Sequence, residues 1–165
     1  VAIFGVTFAA MFIGLILILL LKKTSPPLPQ EQIHFANPED KPLFLLDRDA
    51  FKEKCLQFLG KLNLEYRHSI WADDDELEVA LEDESPVVGG MYLAICAFNP
   101  IDNVLQLHKV TGFLETIKGE GAARGIFITT GYFSEEAIKA AEEEPVELVN
   151  IVSFIAHLKK HEIYD

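Results

Sequence analysis

The order of apolar and polar positions divides the chain into three stretches of different rhythm. From Val1 to Leu21, "VAIFGVTFAAMFIGLILILLL", no side chain is charged and Thr7 is the one clearly polar residue. At about 1.5 Å of rise per residue such a helix is roughly 30 Å long, the thickness of a bilayer's hydrocarbon core. A cleaved secretory signal is the competing reading, but it ordinarily has a basic leading region, a shorter apolar run and a small-residue cleavage site, and none is clear here. The expectation is one retained transmembrane helix over 1–21. Lys22 and Lys23 follow it, and the positive-inside rule puts the rest of the chain in the cytoplasm. Within the run, the spacing Gly5-x-x-x-Ala9 permits close approach of a second membrane helix.

Residues 22–46 read as a linker. "TSPPLPQEQIHFANPEDKP" (24–42) holds five prolines among polar neighbours, which deny the chain both a helix and a central strand. Residues 47–165 then alternate as a folded domain should. In "DRDAFKEKCLQFLGKLN", Phe51, Cys55, Leu56, Phe58 and Leu59 recur at near-helical spacing, with Asp49 as the expected N-cap and Gly60 as the stop. Strands are expected near 64–72, 77–83 and 91–98, joined by short turns as an antiparallel meander. The rhythm then changes to a helix (101–118), a strand (124–130), a helix opened by Ser134, a strand (146–150) and a last helix from Ile151. Strand–helix alternation adds parallel strands. The fold class is therefore α/β (α+β): a mixed sheet with helices on both faces, preceded by one transmembrane helix.

Charge narrows the function. The chain carries 14 Lys+Arg against 26 Asp+Glu, and 47–165 alone keeps 11 against 23. DNA binding draws much of its affinity from neutralised phosphates, so this long-range field disfavours nucleic acid as a partner. Cys55 and Cys96 fall in a helix and a core strand, as small buried apolar residues do, and no disulfide framework or zinc spacing exists. "ADDDE" (72–76) lacks the alternating ligands and glycine of a calcium loop and reads as a solvated turn. His157 and His161 stand four apart without a third ligand, so no zinc site is expected. "GEGAARG" (119–125) follows a helix rather than a strand and is a helix stop.

The most informative words lie around two strands. "ARGIFITTGYFSEEAIKAA" (123–141) and the strand "YLAICAF" (92–98), taken with the order of elements, make residues from about Phe51 to Leu158 resemble the Mrr-like restriction endonuclease domains of the PD-(D/E)xK nuclease superfamily. The resemblance implies a restriction-endonuclease-like sheet. It also implies a carboxylate on one strand and a Gln/Glu-x-Lys pair on the next, which together hold magnesium against a phosphate and orient the attacking water. Residues two apart on a strand face the same way, which is why that spacing works. Carried over position by position, Glu78 stands near the Asp, Ile95 at the Gln/Glu and Ala97 at the Lys. Lys109 on the next helix, with Glu65 or Glu115, is the alternative source of the missing groups. Trp71 and Phe98 are candidates for filling the vacated site, and ordinary core packing explains both equally well.

These degenerate positions lead to the expectation of a non-enzyme with no catalytic residue, no resident metal and no cofactor. It would be a membrane-anchored interaction or accessory subunit, with the bilayer and other proteins of a larger membrane assembly as its partners. The alternative is a membrane-anchored Mrr-like DNA endonuclease or DNA-binding protein.

Overall fold

The computed structural model describes residues 30–164. The expected membrane helix lies outside them, and among the described residues no helix is long and apolar enough to cross a membrane.

A five-stranded mixed sheet forms the centre. β1 (Glu65–Trp71), β2 (Glu76–Asp83) and β3 (Gly90–Ala97) make an antiparallel meander, and β5 (Arg124–Thr129) and β7 (Val146–Val149) extend it in parallel, in the order β1-β2-β3-β5-β7. β5 is buried at every position after Arg124, as a parallel strand covered on both faces must be. On one face lie α1 (Arg48–Gly60) and α4 (Ile151–Lys160), which set Phe51, Phe58 and Phe154 against Leu77, Cys96 and Ile128. On the other lie α2 (Leu107–Glu120) and α3 (Glu135–Ala141), which set Phe113, Ile117 and Ala137 against Ala97 and Phe127. The mixed sheet flanked by helices is the architecture that the apolar alternation foretold.

Local chemistry moves some boundaries. The N-cap of α1 is Asp47, not Asp49: its carboxylate accepts from Ala50 N at 2.9 Å, while Asp49 sits in the first turn, where its charge suits the helix dipole. The helix expected over 101–118 starts only at Leu107. Residues 100–103 make a turn, with Asn103 N donating to Pro100 O at 2.8 Å. β4 (Val104–Leu105) then pairs in parallel with β6 (Tyr132–Phe133), a two-stranded ribbon that the hydrophobic pattern was too short to reveal. α2 ends at Gly121, whose φ of 68° is the left-handed cap that glycine adopts without steric cost.

From Gln30 onward, the proline-rich segment lies on the domain. The Gln30 side chain donates to Phe133 O and accepts from Asn150 Nδ2 at 3.0 Å, and Ile33 N donates to the Tyr132 hydroxyl at 2.8 Å. Ile33 and Phe35 pack against the core on the α1/α4 face. Two short 3₁₀ turns, Pro38–Asp40 and Leu43–Leu45, lead into α1, and the second buries Phe44 against the ring of Phe154.

Candidate active site

Register decides which side chains meet. Glu76 stands opposite Ala97 and Glu78 opposite Ile95 across the β2–β3 ladder, while Ala97 stands opposite Thr129 of β5. Directly paired residues project from the same side of a sheet. The carboxylates of Glu76 and Glu78 therefore share the α2 face with Ile95, Ala97 and Thr129. Glu78 is exposed and, with Ile95, lines a small cleft of about 100 Å³ between β1–β3 and α2. Glu76 lies at the head of β2, four-fifths covered, and is bonded by Lys109 from the first turn of α2: Nζ donates to Oε1.

This pair borders a larger cavity of about 440 Å³ at the end of β3, walled by the acidic turn 73–75, by Asn99 and Asn103 after β3, and by Gln106 and His108 at the start of α2. The turn is held on three sides. Ala72 N donates to Glu76 O at 2.9 Å, Phe98 N to Asp75 O at 2.8 Å, and Arg48 Nη1 to Asp74 O at 2.8 Å. The Arg48 guanidinium also sits 4.5 Å from the centre of the Trp71 ring. At the far wall, Asn99 is bracketed by the buried Thr130, whose hydroxyl accepts from Asn99 N and donates to Asn99 O, each at 2.7 Å.

Of the positions named from sequence, Glu78 and Ile95 meet, and Ala97 lies two residues further along the same face. The carboxylate opposite Ala97, however, is Glu76, which sequence reasoning passed over inside the "ADDDE" turn. Alternation along β2 could have found it, because Glu76 and Glu78 must point the same way. Lys109 does reach back to the sheet. Glu65 is engaged on β1 with Arg67 at 3.4 Å, and Glu115 is exposed on α2. Trp71 and Phe98 do not fill the site: both pack against the α1/α4 core, Phe98 with its ring 5.8 Å from that of Phe51. His157 and His161 flank the Phe58 ring.

The donors at the cavity are mainly hard oxygens, the carboxylates of residues 73–76 and the amides of Asn99, Asn103 and Gln106, with His108 beside them. Magnesium ordinarily takes one or two protein carboxylates and completes its shell with substrate phosphate and water, so this set fits it. Among the described residues, no group of three or more His, Cys, Asp or Glu is placed to hold a metal by itself.

A family model described as restriction endonuclease, the Mrr catalytic domain, matches residues 45–158. The chain belongs to that family. Among solved structures, it is similar to the DNA modification-dependent restriction endonuclease AspBHI, with a TM-score of 0.55 and 19% identity over 82% of this chain and 41% of that one. It is also similar to MspJI restriction endonuclease, solved in complex with a 27-mer oligonucleotide, with a TM-score of 0.46 and 13% identity over 76% of this chain and 30% of that one. The chain thus spans less than half the length of either. No curated protein matches it.

Family membership corrects the expectation of a non-enzyme, because it points to a nuclease. The inference from Ile95 and Ala97 set Lys109 aside as the lesser alternative. A lysine stands beside the same strands by way of α2.

Proposed function

We propose that this chain is a membrane-tethered nuclease of the restriction endonuclease type, acting on DNA, with Glu76 and Lys109 as its working pair. The observation that supports it is the contact of Lys109 with Glu76, directly across the ladder from Ala97. In this reading the ammonium that the family carries on the strand is delivered instead from α2. Glu76 would hold magnesium, which when bound polarises the scissile phosphate and the attacking water. Lys109 holds a positive charge where negative charge grows on the phosphate, and its remaining donors orient the nucleophilic water. The acidic balance of the domain keeps DNA contacts local to the cavity and makes binding weak at physiological salt. Residues 1–21 are its membrane anchor in this reading, with the domain on the cytoplasmic side.

The test is the full chain in detergent, incubated with supercoiled DNA, both unmodified and methylated, and with magnesium or manganese. Cleavage is expected, with a loss of roughly 100-fold or more in Glu76→Gln and in Lys109→Met, since single electrostatic groups at such centres carry that much. No cleavage of any substrate, or cleavage indifferent to both substitutions, overturns the nuclease reading. Extraction of the chain from membranes by carbonate overturns the anchor.

A further inference from the structure

We infer that Asn99 supplies the oxygen ligand that Ile95 cannot, so that the cation site of this nuclease is built from Glu76 on β2 and Asn99 just beyond the end of β3. The inference rests on the nuclease reading above and adds a residue to it.

Ile95, Ala97 and Asn99 succeed one another at intervals of two along β3 and just past its end, and two-residue spacing on extended chain repeats a direction. The first two are apolar. The third lines the same 440 Å³ cavity as Glu76 and Lys109. Its backbone is fixed by the two 2.7 Å bonds to the Thr130 hydroxyl, and Thr130 N in turn donates to Ala97 O at 3.2 Å. Its side chain is fixed as well. Asn99 Nδ2 is directed at Thr129 Oγ1 at 3.5 Å, and Asn99 Oδ1 accepts from Asn103 Nδ2 at 3.0 Å. An amide oxygen has two acceptor positions, and Asn103 takes one. The other remains for a hard cation, to which amide oxygens are suitable ligands. A purely structural role at the end of β3 would need only the backbone bracket with Thr130. Orientation of the side-chain oxygen by a second asparagine goes further, and it is the preorganisation that a ligand requires.

Manganese binding to the full chain in phosphatidylcholine nanodiscs, without DNA, tests this through loss of the free-ion electron paramagnetic resonance signal. Asn99→Ala is expected to weaken binding by about tenfold or more, the scale on which groups supporting a metal site act, and Asn99→Asp, which keeps an oxygen in place, to restore it. Should Asn99→Ala lower the metal-free melting temperature, Asn99→Leu, filling the space without an oxygen, carries the comparison with Asn99→Asp. Wild-type affinity in the oxygen-free variants, with loss in Glu76→Gln, overturns the role of Asn99 and leaves the nuclease reading standing. No manganese binding by the wild type, or unaltered binding in Glu76→Gln, overturns both.

Discussion

Removing the Arg48 side chain should loosen the acidic turn that delivers Glu76 while leaving distant local openings unchanged. The guanidinium stacks 4.5 Å from the Trp71 ring centre and donates to Asp74 O at 2.8 Å. A cation on an aromatic ring at a partly exposed site is worth roughly 0.5–1 kcal/mol, and a net hydrogen bond to a carbonyl there about 1 kcal/mol. Together they give about 1.5–2 kcal/mol for Arg48→Ala. At about 1.4 kcal/mol per decade, the closed turn should lose roughly 10–30-fold in population over the open one. Two backbone bonds remain, Ala72 N to Glu76 O and Phe98 N to Asp75 O, so the turn should fray rather than dissolve. Amide hydrogen exchange resolved by residue reads this directly. Protection at 72–76 should fall by the factor given, whereas amides of β7 that exchange through their own local openings should not change. Arg48→Lys should recover part of the loss, keeping the charge but not the planar stack. Protection at 72–76 within about twofold of wild type in Arg48→Ala would refute the clamp, since a change that small is under 0.5 kcal/mol.

Three further outcomes follow from the packing. Phe154→Ala empties the meeting point of three edge-on rings, Phe44, Phe51 and Phe58, at centroid distances of 5.9, 5.7 and 5.9 Å, and should cost about 3–5 kcal/mol in urea unfolding. Gly131→Ala would place a methyl carbon 2.4 Å from Asn103 O; the backbone shift should cost on the order of 1–3 kcal/mol and weaken the β4–β6 ribbon in hydrogen exchange, and an unchanged melting curve would count against it. Burial, and then the hydrogen bond with Cys96, raises the Cys55 thiol well above its ordinary 9.0. The native state therefore keeps a proton that the unfolded chain releases, stability should fall as pH climbs past about 9, and a thiol reagent at pH 8 should label Cys55 only in denaturant.

The elements with long apolar periods were legible in the sequence. The meander, the buried run "GIFIT" and the helices bearing Phe51, Phe113 and Phe154 each bury a face that alternation or 3.6-residue spacing discloses. What escaped notice depends on register or on short segments. Glu76 was hidden because "DDDE" reads as a uniformly solvated turn, and only the ladder shows that its last residue has already entered β2, opposite Ala97. β4 and β6, two residues each, are too short for any period. Lys109 was visible as a candidate, but its partner was set by where α2 begins, and the Asn-Pro and Asp-Asn turns delay that start to Leu107. For Trp71 and Phe98 the sequence left two roles open, filling the vacated site or ordinary core packing, and the ladder decides for the core by placing both on the α1/α4 face.

Mechanically, the docking of Gln30 and Ile33 relocates the point at which the domain is held. A force applied through whatever precedes Gln30 enters the fold not at α1 but at the β6 strand and at Asn150, the residue that caps α4 by accepting from Ser153 N. Among the described residues β6 pairs only with β4, whose Val104 and Leu105 form part of the cavity wall. Tension on the N-terminal segment is thus shared between the small ribbon beside the cavity and Asn150, at the junction of β7 and α4. A pull from that side would load the two short strands together with the end of the core sheet, and through Val104 and Leu105 it would reach the cavity wall.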